Sequence, residues 1–394
     1  MPRTRLPRRL WGTLGLVLLG TVLSTCNLFD SPSQELWLGV PLAWHSPGGK
    51  GGGTPAFDGS TAYYIGRDHR VYALDGQTGH EIWSAVTGAV GGAPCCGNCV
   101  VVTALVACGD FGITAFRRAD GTRVWDFFPG DNPGVFPIVA VDGVIFAGSR
   151  GGARVYAIDA ATGGLRWTAQ TLDTVPERIN IVEVRADSDI VVGAYLRLTR
   201  HFTGGVVALD AQTGAVRWAT EFPSAAPDSD SAAWSVALRH DLVVGSSYDG
   251  KIYLLDRATG AIQSFFPGVG HPAPDVIPAY PVGEDFRSLV VLGDTLFASS
   301  IADWLVAYGL KPPRELWRTA TPRGSSLGSP LITDGRVVYD REGFGYLAAF
   351  STVGPRVLWS SGSPEYELLL SGVAVSRDMI FGAGDQGFWA IKKP

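Results

Sequence analysis

The chain has 394 residues, 46% of them apolar, with 51 glycines and 25 prolines. That length and composition suit one large all-β unit, and no stretch reads as a second globular domain. The net charge of −5 becomes −9 once the four arginines of residues 1–25 are removed, so the basic footprint of a nucleic-acid binder is excluded.

Residues 1–25 read as a signal peptide rather than as part of a fold. Arg3, Arg5, Arg8 and Arg9 form a basic start, and Leu10 to Leu23 is apolar but short for a membrane span. The segment ends in Leu23-Ser-Thr-Cys26, which resembles a bacterial lipoprotein signal. Cleavage before Cys26 and lipidation of its thiol would anchor the chain to the cell envelope. The plainer alternative is an ordinary signal peptide or an uncleaved anchor. Residues 26–35 then make the lipidated cysteine and a short tether, with Asn27 rather than aspartate after the cysteine.

Residues 36–394 carry a repeat. Pro41-Leu-Ala-Trp44-His-Ser reads as a strand with no partner before it. Strands follow at Pro55-Ala-Phe, Ala62–Ile65, Val71–Leu74 and Glu81–Ser84, with turn signals at Asp58-Gly59, Gly66-Arg-Asp68 and Thr78-Gly79. The last two strands hold the phrase Ala73-Leu-Asp75-Gly-Gln-Thr78-Gly79-His-Glu-Ile-Trp83. It returns in full from Ala157 to Trp167 and from Ala208 to Trp218. Weaker copies start at Ala115, Leu254, Ala307 and Ala349, and an eighth strand of this type is Phe388-Trp-Ala390-Ile391.

Four strands at about 40–50 residues per repeat predict a β-propeller. Eight strands of one type but only seven closing positions follow Ala73: Trp83, Trp125, Trp167, Trp218, Ser264, Trp317 and Trp359. A ring resolves the mismatch, because Trp44 of the orphan strand completes the eighth blade. The prediction is therefore all-β: a single eight-bladed propeller of four-stranded blades, closed by pairing the N-terminal strand with the C-terminal blade. In the phrase, glycine supplies a positive φ, Asp and Thr bond turn amides, alanine leaves room for the indole, and the indole packs between blades.

Four cysteines fall in one repeat: Cys95, Cys96, Cys99 and Cys108. In an exported chain they predict disulfides. Gly97-Asn98 reads as a hairpin turn that sets Cys96 opposite Cys99, leaving Cys95 and Cys108, although all three pairings stay open. Zinc is the weaker reading, with no histidine nearby. The six histidines are scattered, and no catalytic triad, phosphate loop or metal cluster appears.

The phrase resembles the tryptophan-docking motif of the pyrroloquinoline-quinone (PQQ)-like propeller superfamily. That resemblance implies one of two activities. In the PQQ-dependent dehydrogenases, the central channel holds the quinone and Ca²⁺ beside a catalytic aspartate, and some carry a ring made by adjacent cysteines, as Cys95-Cys96 would allow. The chain is short for that branch and lacks its long insertions. The other branch is the BamB family of outer-membrane assembly lipoproteins, which this chain resembles in lipoprotein signal, short tether, length and compact blades.

That second resemblance implies a non-catalytic scaffold without a cofactor. It would be monomeric and anchored at the periplasmic face of the outer membrane, docking to a barrel-assembly subunit through loops on one face. A generic envelope ligand-binding propeller is the third reading. The repeat spacings of 51, 46 and 53, against 41–42 elsewhere, point to longer loops at Thr171–Arg178, Pro223–Asp230 and Phe266–Pro281. By the family resemblance Arg178, Asp228 and Asp230 are the partner-binding candidates. Solvated loop charges are the plain alternative.

Overall fold

The structure is a computed structural model. It describes residues 42–49, 53–88, 97–109, 111–130, 135–172, 178–198, 201–224, 230–268, 286–321, 331–342, 346–361, 372–384 and 387–393. Cys26, Cys95, Cys96 and Asp228 lie outside the described residues.

Eight four-stranded antiparallel sheets form the propeller. Blades 1 to 7 take consecutive strands from Ala56–Val86, Asn98–Phe127, Val135–Gln170, Arg178–Glu221, Ala233–Phe266, Phe286–Ala320 and Ile332–Ser361. Blade 8 takes three strands from Ala374–Lys392 and its fourth from Leu42–Ser46. Trp44 pairs with Ala390 there, in the register that sets Trp83 opposite Ala73 and Trp218 opposite Ala208. The first strands of successive blades touch around the axis, blade 8 meeting blade 1, so the predicted ring is closed.

Apolar side chains gather into eight clusters, and each cluster spans one junction between blades. The core is thus distributed around the ring, because a single twisted sheet cannot bury both of its faces alone. The connections from strand 1 to 2 and from 3 to 4 leave one face of the ring. Those from 2 to 3, and from strand 4 to the next blade, leave the other, which is the loop-bearing face.

The phrase works across the junction as well as within its own turn. Asp75 Oδ1 accepts from Gln77 N at 3.1 Å, Thr78 N at 2.8 Å and Thr78 Oγ1 at 2.7 Å. Asp159, Asp210 and Asp256 repeat this set. Gly79 sits at φ +71° and donates to Asp75 O. Its second task comes from the neighbouring blade: a Cβ there would lie 2.5 Å from the Trp44 ring. Gly121, Gly163, Gly214 and Gly260 face Trp83, Trp125, Trp167 and Trp218 in the same way.

Each of these five indoles also donates Nε1–H to a carbonyl of the next blade. Trp44, Trp83, Trp125, Trp167 and Trp218 bond Gly76, Arg118, Ala160, Ala211 and Arg257 at 2.8–3.2 Å. The polar hydrogen is thereby satisfied in all five, of which Trp44, Trp83, Trp125 and Trp218 are buried and Trp167 is half-buried. Arg117, where the phrase has Asp, leaves this intact, since Gly121 still receives Trp83. Trp317 and Trp359 are only half-buried; Trp317 faces blade 7, where Pro355 replaces the glycine.

Two expectations are corrected. Asn98 is the first residue of a strand (Asn98–Val102), and the turn lies at Thr103-Ala104, so Cys99 faces Cys108 rather than Cys96. Cys99 and Cys108 form the disulfide, inside the cluster between blades 1 and 2, which also rules out zinc on those two sulfurs. The 51-residue interval does not lengthen the loop at Thr171–Arg178. It lengthens blade 4, whose first three strands each run nine residues.

Candidate functional site

The long hairpin of blade 4 ends on the loop-bearing face. Arg178 opens the first strand and pairs with Leu198, which in turn pairs with Phe202. Asp230 reaches this hairpin, accepting from Phe202 N at 2.7 Å through Oδ1. Ser231 N and Ala232 N bond Phe202 O at 2.7 and 3.1 Å. The structure therefore brings Arg178 and Asp230 to one end of blade 4. It gives Asp230 a definite task, holding the connection from blade 4 to blade 5 against the hairpin.

Side chains that sequence reasoning passed over extend this surface across blades 5 and 6. Tyr248 lies 5.8 Å from the Phe202 ring and 5.4 Å from Trp234 in a T-shaped contact. The Arg287 guanidinium stands 4.1 Å over Trp234 and 4.9 Å over Tyr248. Trp234 and Arg287 occupy bulge positions on the first strands of blades 5 and 6, where the pairing register shifts. Bulges re-aim side chains out of the regular alternation. Trp234 falls outside the spacing of the closing tryptophans, and that was the available signal.

Behind this surface Arg197 pairs with Glu221 at 2.6 Å and lies 5.4 Å over the Tyr195 ring. Burial, with the Glu221 charge beside it, pushes the Tyr195 phenol up to about 12, so it stays neutral. Glu183 fixes blade 4 to blade 5, its Oε2 accepting from Ser235 Oγ at 2.7 Å and Val236 N at 2.8 Å. The patch thus combines arginine with aromatic rings on a braced frame, a composition enriched where proteins dock.

One carboxyl departs from the surface pattern. Asp340, in the second strand of blade 7, is buried and accepts from Ser299 Oγ of blade 6 at 2.5 Å. Burial pushes its pKa up to about 7, against the lowering effect of Ser299 and Arg341. It lies inside the junction between blades 6 and 7. Among the described residues no group of three His, Cys, Asp or Glu side chains is placed to hold a metal ion.

Comparison with known proteins fits this architecture. The chain is 26% identical over 318 residues to an outer membrane protein assembly factor BamB of Burkholderia pseudomallei, covering 78% of this chain and 76% of that protein. A Bordetella pertussis protein of the same description is 30% identical over 181 residues, 43% of this chain and 44% of that one. The crystal structure of BamB from Moraxella catarrhalis matches with a TM-score of 0.51 at 16% identity, over 75% of this chain and 93% of that chain. A europium-containing methanol dehydrogenase matches with a TM-score of 0.68 at 15% identity, over 87% and 84%. At such identities the two structures share the fold alone. The sequence profile described as outer membrane protein assembly factor BamB matches residues 24–264 and 278–387, and the chain belongs to that family.

Proposed function

We propose that this chain is an exported, lipid-anchored propeller without catalytic activity that serves as a docking scaffold in the assembly of outer-membrane β-barrel proteins. Family membership across all eight blades carries the reading. Cys26 is the lipidation site after loss of residues 1–25, and the anchor holds the ring at the periplasmic face of the outer membrane. The partner is a barrel-assembly subunit. Its docking surface is the loop-bearing face around Arg178, Asp228, Asp230, Trp234, Tyr248 and Arg287.

Affinity purification of the natively expressed protein from solubilised membranes tests this. Co-recovery of a barrel-inserting subunit is expected; recovery without any barrel-assembly subunit contradicts it. Dye-linked alcohol oxidation by the purified chain supplied with PQQ and Ca²⁺ would move it to the quinone-enzyme branch instead.

A further inference from the structure

The junction between blades 5 and 6 lacks both halves of the fastening. Ser264 stands where blade 5 should offer an indole, and Pro313 stands where blade 6 should offer the glycine. Phe266 and Tyr308 stack there at 4.1 Å, and the fourth strands of the two blades touch directly. This substitute packing leaves a rim cleft of about 320 Å³. This volume lies at the lower end of the range of ligand sites and has room for one or two side chains.

The lining has a definite chemistry. Phe265, 51% exposed, and Pro313 present apolar surface at the mouth, and Phe266 and Tyr308 form the floor. Arg314 is exposed and has no ion-pair partner among the described residues, while Arg318 is held by Glu315 at 2.5 Å. Among the described residues the lip therefore carries one positive charge with no counter-ion, over an aromatic floor.

We propose that this cleft binds an aromatic side chain of another polypeptide that has a carboxylate beside it. The repeat itself indicates the aromatic part, since at five other junctions an indole from the preceding blade packs against this part of the next one. The ring would lie against Phe265 and Pro313. The carboxylate would meet the Arg314 guanidinium. The site stands on the rim, away from the loop-bearing patch, and does not depend on the barrel-assembly reading.

The test is fluorescence anisotropy of a fluorescein-labelled peptide, Ser-Asp-Trp-Asp-Ser, titrated with the purified full chain. Saturable binding is expected, with none for the peptide bearing alanine in place of tryptophan. Ser264→Trp returns an indole to the junction, and Arg314→Glu reverses the lip on an exposed residue without disturbing the core. Each is expected to weaken binding by about tenfold or more, with the melting temperature of Arg314→Glu unchanged. Absence of saturable binding, equal binding of the alanine peptide, or unchanged affinity in both variants would overturn the proposal. Binding seen only after residues 271–281 are replaced by a Gly-Ser linker would assign the cleft to the chain's own connection, and would overturn it too.

Discussion

The arc from blade 8 through blade 5 and the junction between blades 5 and 6 solve the same packing problem in different ways. Along the arc, five consecutive junctions repeat one device: an indole from one blade, a positive-φ glycine and a carbonyl from the next. At the junction of blades 5 and 6 that device is gone and a Phe266–Tyr308 stack takes its place. Along the arc the repeat is spent on closure. Where it lapses, the outer surface is left open enough to carry something else. The loop-bearing patch, reaching from blade 4 to blade 6, straddles the point where the arc ends.

The comparison breaks most readily at Trp83. Trp83→Ala removes a buried ring and its bond to Arg118 O, and should cost about 3–5 kcal/mol in denaturant unfolding. A loss below about 1 kcal/mol would show that the indole does not fasten the blades.

Next is Asp340, between blades 6 and 7 and outside the arc. Its carboxyl is raised in the folded state, so its contribution to stability is full below the unfolded-state value near 4. That contribution declines as pH rises through about 7. Each tenfold change in proton affinity is worth about 1.4 kcal/mol, so Asp340→Asn should gain up to about 4 kcal/mol relative to the parent at pH 8, and little at pH 4. A gain of equal size at both values would remove the carboxyl as the cause.

A smaller effect sharpens the account of the glycine. Gly121→Ala puts a methyl 2.6 Å from the Trp83 ring at a φ of +71°. The strain and the clash together should cost about 1–3 kcal/mol. Gly143, at φ +76° with open space around it, should cost less on the same change, because only the backbone strain remains. Equal costs would mean that contact with the indole contributes nothing. The smallest expected effect is at the lapsed junction: Ser264→Ala should change stability by less than about 0.5 kcal/mol. A loss approaching that of Trp83→Ala would erase the distinction between the two regions.

Most of the fold was legible because the phrase repeats. Eight strands of one type with seven closing positions left Trp44 as the piece that closes the ring. The glycine's second role was hidden because it needs the register between blades, not within one. The turn beside the disulfide lies elsewhere than its sequence signal for a local reason. Gly97-Asn98 has turn chemistry, but the turn forms at Thr103-Ala104, where Thr103 takes a φ of +45°. The candidate site was legible only in part. Arg178 and Asp230 are placed at one end of blade 4, yet Trp234 and Arg287 sit at bulges, and no periodic pattern marks where a bulge will re-aim a side chain. The long interval at blade 4 was visible too, but strand extension and loop extension add the same number of residues.

The most direct test of the docking claim compares two faces of one molecule. The natively expressed protein, a Trp234→Ala/Arg287→Glu variant of the loop-bearing face, and an Arg217→Ala variant of the opposite face would each be purified from envelopes. Co-recovery of a barrel-assembly subunit would then be measured. The account predicts recovery with the parent and with Arg217→Ala, and its loss from the double variant at unchanged folding. Equal recovery from all three would contradict it.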